Sequence, residues 1–371
     1  MVEWKKLGEV CTFNRGRTIT AKDAVDGDIP VIAGGQTPSY YHNESNRNGE
    51  SITVAGSGAY AGFISYWQQP IFVSDAFTVD PIGLLSHKYL FHWLKMNQEK
   101  VFATQKGAGV PHVHGKDIAN FEIPIPPLTE QQRIVSILDT FTSSITNLKQ
   151  QIEERRKQYE YERDRLLDLE GKEGVEMKKL GDILVSLKTG LNPRKNFVLN
   201  APGGNNYYIT VRELGLFDIM PTEKTDRVTD EALKLINNRS NLEVGDVLFS
   251  GTGTIGRTAL IKEKPTNWNI KEGVYTLKPC KEIINSRYLV QLLHVNSTRD
   301  KITALIVGDP IRSIPMKSLV TIPIPVPSLS DQSRIVSILD TFEASIKNLE
   351  EQLSLREKQY EYYRNKLLTF E

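Results

Sequence analysis

Four stretches of the sequence carry residue types whose spacing could do chemistry. Gly251 to Gly256 reads GTGTIG and matches Gly-x-Gly-x-x-Gly behind the strand-like run VLFS. Such glycines can hold a dinucleotide or S-adenosylmethionine, but only where a helix follows and turns its N-terminus to the ligand. The residues that follow, RTALIKEKP, are β-like and soon broken by Pro265, so a tight turn is expected. The corresponding first-half stretch, GSGAYAG, spaces its third glycine differently. Phe249 to Gly253, FSGTG, mimics the cofactor motif of adenine methyltransferases. Those enzymes also need an Asn/Asp-Pro-Pro-aromatic motif, and the one Pro-Pro here, Pro126-Pro127, is followed by Leu128. His112 and His114 could point two imidazoles the same way, yet a metal needs a third and usually a fourth ligand. Spacing identifies none, so this stretch reads as a polar loop that contacts a partner. No catalytic residue and no metal set is assigned.

The bulk numbers narrow the class further. The chain has 371 residues, enough for two domains with connecting elements, and 39% of them are hydrophobic, which suits packed cores. Cys11 and Cys280 alone exclude a disulfide framework. No apolar run approaches the ~18 residues of a membrane span, and MVEWKKLGEV lacks a signal peptide's apolar segment, so a cytoplasmic protein is expected. A net charge of +1 gives none of the overall positive field of a free-standing DNA binder.

The elements that must position any site form a repeat. RIVSILDTF occurs at Arg133 to Phe141 and again at Arg334 to Phe342, and the ungapped match from Arg133 to Glu170 holds at 24 of 38 positions. Pro-rich lead-ins, FEIPIPPLTEQQ and TIPIPVPSLSDQS, precede the two copies. Each half opens alike, WKKLGEV from Trp4 and MKKLGDI from Met177, and each has a mid-half run ending in Gly-x-Gly. Between these landmarks the halves differ. The order is therefore variable domain 1–128, repeated segment 129–170, variable domain 171–328, repeated segment 329–371.

Heptad spacing makes each repeated segment a long helix of about 40 residues, ~60 Å at ~1.5 Å per residue. The first seam runs through Leu138, Phe141, Ile145, Leu148 and Ile152, then Arg155, Tyr159, Glu162, Leu166 and Leu169. The second runs through Leu339, Phe342, Ile346, Leu349 and Leu353, then Arg356, Tyr360, Tyr363, Leu367 and Phe370. Thr129 or Ser330 can cap the helix starts. The two seams are expected to pair with each other as an intramolecular antiparallel coiled coil about a pseudo-two-fold axis. Separate helical hairpins, or pairing between chains, are the alternatives. GKEGVEMKK reads as a linker. The variable domains read as mixed α/β, each a compact sheet followed by one helix, HKYLFHWLKMNQEKVFAT or SRYLVQLLHVNSTRDKI. The fold class is thus α+β, two mixed α/β domains separated by two long helices.

This arrangement closely resembles the specificity (S) subunit of type I restriction-modification systems over the whole chain. The resemblance is carried by LTEQQRIVSILD and LSDQSRIVSILD, by RKQYEYERDRLL and EKQYEYYRNKLL, and by WKKLG and MKKLG. It implies that the variable parts are target recognition domains, each reading one half of a split double-stranded DNA target. It also implies that the helices dock methyltransferase (modification) subunits, two being expected, with restriction subunits joining in the full complex. Catalysis, and with it S-adenosylmethionine, ATP and Mg, would then belong to the partner subunits, leaving this chain without a cofactor.

Segment charge is compatible with that assignment, at −1 for 1–128, −2 for 129–170, +6 for 171–328 and −2 for 329–371. Slightly acidic helices suit protein contacts, and phosphate neutralisation sets most non-specific DNA affinity, so this chain alone should hold DNA weakly. Base reading needs donors and acceptors on loops that reach a groove. In the first half the candidates are Gln36, Thr37, Tyr40, Tyr41, His42, Asn43 and Arg47, then Ser57 and Tyr60, then Lys106, His112, His114 and Lys116. In the second they are Arg194, Lys195, Asn196, Asn205, Asn206 and Arg212, then Thr252, Thr254, Arg257, Asn267, Arg312 and Ser313. Any one of these could equally be a solvated loop residue. Two other readings stand beside this one. A self-sufficient N6-adenine DNA methyltransferase would need the missing Pro-Pro-aromatic motif, and a coiled-coil scaffold would not explain two divergent domains in matching frames.

Overall fold

Short β-branched runs bounded by Gly and Pro give short strands, and the heptad segments give the longest elements of the chain. The protein is described by a computed structural model covering residues 2–370 except Lys195 and Leu216. It divides into two units, Met1–Gln151 with Leu349–Glu371, and Ile152–Asn348.

The first unit contains β1 (Glu3–Lys6), β2 (Cys11–Arg15), β3 (Ile29–Ile32), β4 (Tyr40–His42), β5 (Ser51–Ala55) and β6 (Ile64–Trp67). β7 (Phe72–Val73), β8 (Ala76–Pro81) and β9 (Glu122–Ile125) complete its strands. Its helices are α1 (Leu7–Val10), α2 (His87–Met96), α3 (Gln98–Phe102), α4 (Gly115–Ile118) and the start of α5 (Leu128–Leu167). Instead of one sheet there are three. β2-β8-β5-β6 is antiparallel, β4-β3-β7 has a parallel β3–β7 pair, and β1 pairs with β9. Pro70 to Val79, PIFVSDAFTV, reads in sequence as one β-rich run, but it is split at Ser74 and Asp75, so β7 and β8 enter different sheets.

The second unit repeats this topology with a different sequence. Its strands are β10 (Glu176–Lys179), β11 (Leu184–Thr189), β12 (Asn206–Ile209), β13 (Arg227–Val228) and β14 (Val247–Ser250). They continue with β15 (Thr258–Leu260), β16 (Trp268–Ile270), β17 (Val274–Pro279) and β18 (Pro323–Val326). The sheets are β11-β17-β14-β15, β13-β12-β16 and β10-β18. Helices α6 (Asp230–Ser240), α7 (Ser286–Leu292), α8 (Asn296–Ala304) and α9 (Met316–Leu319) precede α10 (Leu329–Leu368).

Several sequence expectations are corrected here. Each single helix expected after the sheet is two, α2 with α3 and α7 with α8. In the first unit α2 ends at Asn97, whose φ of −94° and ψ of 18° leave the helical region, and whose side chain joins its own N–H on the Trp93 carbonyl at 2.9 Å. α6 was not foreseen. The helix starts are not capped by Thr129 or Ser330, because both helices begin one residue earlier. Pro127 O accepts the Glu130 and Gln131 N–H groups, and Ser328 Oγ accepts the Asp331 N–H at 3.1 Å. Only part of GKEGVEMKK is a linker, since its last four residues form β10.

The long helices are built into both cores. In the first unit Ile134 and Leu138 of α5 and Leu368 of α10 are buried with Tyr89, Leu90 and Trp93 of α2. In the second, Ile335 and Leu339 of α10 and Tyr159 and Leu167 of α5 are buried with Tyr288, Leu289 and Leu292 of α7. Each such side chain contributes roughly 1.5–3 kcal/mol by leaving water. Within each unit the seams run antiparallel. In the first, Phe141 stacks on Tyr363 at 5.3 Å and Lys149 pairs with Glu357 at 3.0 Å, so numbers rise on one helix as they fall on the other. In the second, Tyr159 OH donates to Glu343 Oε1 at 3.0 Å. The charged seam positions have partners too. The Arg356 guanidinium lies 5.6 Å over Phe141 and that of Arg155 lies 5.8 Å over Phe342, equivalent cation–π contacts.

One device joins each helix to its unit. Gln131, fully buried, donates from Nε2 to Pro126 O at 2.9 Å and Leu84 O at 3.2 Å, and its Oε1 accepts the Ser86 N–H at 2.9 Å. Gln332 does the same with Pro327 O, Ile283 O and the Asn285 N–H. Losing an amide here strands buried backbone groups at ~1–3 kcal/mol each. Gln131→Leu should therefore lower stability by about 2–4 kcal/mol, read as a fall in urea midpoint at unchanged slope.

His294 gives a second expectation. It accepts or donates at 2.7 Å with Thr258 Oγ1 and meets Phe217 edge-on. Burial, and then Arg163, Arg299 and Arg287, push its pKa from 6.5 down to about 4. The folded form thus resists the proton more than the unfolded one, so the contribution is complete above about 6.5 and is lost as pH falls towards about 4. At ~1.4 kcal/mol per pH unit the loss is up to about 3 kcal/mol. Thermal melts across that window should show it in the wild type, and His294→Gln should be flatter by that amount.

Candidate functional site

In the first unit the chain leaves β5 through Gly56-Ser57-Gly58 and returns to it through β6. A hairpin-like loop docks on that turn. Lys106 and His112 exchange backbone hydrogen bonds at 2.9 and 2.8 Å, Gly58 N donates to Pro111 O at 3.0 Å, and Val113 N donates to Gly56 O at 3.0 Å. The loop from 33 to 37 closes on the same turn. A Cβ on Gly34 would stand 2.3 Å from Ser57 O, so only glycine permits the approach. The result is a cleft of about 470 Å³, whose lining includes Arg15, Ser57, Asp75, His112, His114 and Lys116.

The second unit builds the same device. Gly253 N donates to Arg312 O at 3.0 Å, Ile314 N to Gly251 O at 2.9 Å, and Val307 and Ser313 exchange bonds at 2.8 Å. Gly251 has Tyr275 against it, where a Cβ would meet the ring at 2.2 Å. Gly253 and Gly256 both have positive φ, and β15 follows, so GTGTIG is a tight turn with no helix to receive a phosphate. A cleft of about 420 Å³ beside it is lined by Thr210, Arg212, Asp226, Thr252, Lys271 and Glu272, among others.

The structure brings some sequence candidates together and separates others. Ser57, His112, His114 and Lys116 share the first cleft, with exposed Gln36 and Thr37 on the adjoining loop. The His112 and His114 rings lie parallel, 6.3 Å apart. Among the described residues no group of three or more His, Cys, Asp or Glu side chains could hold a metal. Lys106 reaches Asp117 at 2.5 Å, and Tyr60 is exposed at the turn. Tyr41 and Asn43 are exposed on and beside β4, away from that cleft's lining. Tyr40 OH donates to Ile19 O at 2.5 Å. His42 is buried against Phe72 and bonded to Val25, and the Arg47 guanidinium is held by Asn14, Arg15 and Asn46 carbonyls. These last two serve the fold.

In the second unit Arg212 and Thr252 share a cleft, and Ser313 bridges Thr252. Arg212 is tied to Asp226 at 2.9 Å, and Arg257 donates to Val211 O at 3.2 Å on the cleft's edge. Thr254 and Arg312 are exposed on the turn and the docked loop. Asn206 is buried and donates to Val228 O and Asp230, a structural role, while Asn205 and Asn267 are exposed. Arg194 is exposed with a positive φ, and Asn196 donates to Asn192 O at 2.8 Å. Lys195 lies outside the described residues. Sequence reasoning missed Arg15, Asp75 and Lys271. For Asp75 there was a signal, a lone charge inside the β-rich run PIFVSDAFTV.

Known proteins share this build. A family described as type I restriction modification DNA specificity domain matches residues 1–155 and 172–355. The EcoR124I/EcoR124II specificity subunit of Escherichia coli is 30% identical over 412 residues, covering 100% of this chain and 94% of that protein. The crystal structure of a type I restriction-modification S subunit from M. genitalium superposes with a TM-score of 0.64 at 18% identity, covering 100% of this chain and 97% of the other. A chain from a structure on complex assembly and conformational transition of the type I R-M system gives 0.59 at 19% identity, covering 99% and 97%. At these identities the two structures speak for the fold alone.

Proposed function

Since the chain belongs to the type I restriction-modification DNA specificity family, we propose how its parts divide the work of choosing a target. It is the DNA target-specificity subunit of such a system, and subunits of this family are non-catalytic and carry no cofactor. Cofactors belong to the modification and restriction subunits. Among the described residues no helix is long and apolar enough to cross a membrane.

In our reading residues 1–128 and 171–328 are two target recognition domains, each contacting one half of a bipartite duplex site. Residues 129–170 and 329–371 are spacers that dock two modification subunits, with restriction subunits joining the complete complex in the cytoplasm. One observation carries this reading. Two units share a sheet topology and a turn-and-loop device with a cleft beside it, yet the side chains at the turn differ, Ser57 and Asp75 in one and Thr252 and Gly273 in the other. A common frame with different side chains is what two independent half-site readers require. The helices carry small negative charge, while exposed cations such as Arg15, Lys116 and Lys271 line the clefts. That supports assigning DNA to the clefts and protein partners to the helices.

The experiment is methylation mapping in cells carrying chain variants. Exchange of residues 1–128 for another recognition domain should change one half-site and leave the other intact; a change in both would overturn modular reading. Matched deletion of Ser144 to Gln150 and Ser345 to Glu351 keeps both seams in phase and shortens each helix by ~10 Å. The unread spacer should shrink by about three base pairs at ~3.4 Å each, with both half-site sequences kept. Altered bases at unaltered spacing would defeat the spacer role.

A further inference from the structure

We infer that Asp75, held by Ser57, is a specificity-determining acceptor that reads a base carrying an exocyclic amino group, adenine N6 or cytosine N4, in the half-site of the first unit. The inference rests on the DNA reading proposed above and names what one of its clefts selects.

Three observations lead there. First, Asp75 lies in the lining of the first cleft beside Ser57 and His112, and its Oδ2 accepts the Ser57 hydroxyl. Among the described residues Oδ1 has no hydrogen-bond partner, so one acceptor stays open. Second, Arg15 and Lys116 line the same cleft, and among the described residues their side chains make no ion pair or hydrogen bond. Two uncommitted cations suit phosphate, whereas a carboxylate repels it. A cleft that held only the DNA backbone would gain nothing from Asp75. An acceptor-only group in such a place is suited to an amino donor on a base edge.

Third, the matching turn of the second unit forms without a carboxylate. Asp75 immediately precedes β8, and its carbonyl accepts the Gly56 N–H at 3.1 Å. In the second unit Gly273 immediately precedes β17, and its carbonyl accepts the Gly251 N–H at 2.8 Å. The same position thus carries Gly273 there, with Thr252 in place of Ser57. Gly273 has a φ of +91° and a Cβ on it would stand 2.9 Å from Thr252 Oγ1, so the second turn is built on glycine and an aspartate there would be strained. The turn and its docked loop form in both units, with and without the acid. What differs is the local backbone, left-handed at Gly273 and not at Asp75, and the chemistry offered to the ligand.

The test uses the chain assembled with its modification subunits and a pool of duplexes randomised across both half-sites. Methylated molecules are sequenced for the wild type, Asp75→Ala and Asp75→Asn. The wild type should require adenine or cytosine at one position of the half-site set by residues 1–128. Asp75→Ala should relax that position by roughly ten-fold to a hundred-fold and leave all others alone, the range of one good base contact. Asp75→Asn, which keeps an acceptor oxygen, should retain part of the preference. An unchanged motif with Asp75→Ala overturns the inference while the parent reading stands. No motif from the wild type removes both. A second arm is independent of folding of the variants. Wild-type complex is titrated with duplexes in which single amino groups of that half-site are deleted, by purine for adenine or 2-pyrimidinone for cytosine. One deletion should weaken binding about ten-fold; tolerance of every deletion overturns the inference.

Discussion

A buried glutamine amide at the foot of each long helix is the contact on which the rest of each unit depends. Gln131 and Gln332 each satisfy three backbone groups from two separate segments, the Pro-rich lead-in and the loop before α2 or α7. An amide suits this task because it offers two donors and an acceptor in one rigid plane. An apolar side chain would leave these groups dry and unpaired, and a charged one could not serve both carbonyls and an N–H. The bonds fix where the helix leaves the unit. Packing of Ile134 and Leu138, or of Ile335 and Leu339, then follows from that exit.

Above this joint the two units solve one problem with different residues. In the first, His92 of α2 meets Asp139 at 2.9 Å and Tyr360 OH at 3.4 Å, and Lys88 adds an ion pair to Asp139 at 2.5 Å. In the second, Gln291 of α7 meets Tyr159 at 2.7 Å and Glu343 at 2.7 Å, and Arg287 reaches Asp340 at 2.9 Å and Glu343. The helix-borne members are nearly shared, Asp139 with Asp340 and Tyr360 with Tyr159. The variable domains supply the differing ones. Asp139 is held below the ordinary carboxylate range, chiefly by its bond to His92, so the joint in the first unit is strongest when that carboxylate is charged.

The same division of labour governs the clefts. Backbone bonds build the Gly-x-Gly turn and its docked loop, and backbone bonds are indifferent to side-chain identity. Away from the glycines that the close approaches require, side chains on that frame can therefore change while the backbone bonds stay. Ser57, Asp75 and His112 in one unit stand where Thr252, Gly273 and Ser313 stand in the other.

Periodicity made the long helices, their antiparallel seams and some of the strands legible, because a heptad or a β-branched run declares its own secondary structure. The glycine turn was legible too, since no helix pattern followed GTGTIG. The motifs that repeat across the halves also carried the family. Sequence could not say that PIFVSDAFTV divides between two sheets, or that the helix expected from His87 onwards is interrupted at Asn97. Those outcomes depend on what lies across space from the residue. Polarity likewise gave no way to separate His42, Arg47 and Asn206, which hold the fold, from His114 and Lys116, which face a cleft. A polar side chain has the same donors in either role. Only tertiary structure decides whether the protein itself satisfies them or leaves them for a ligand.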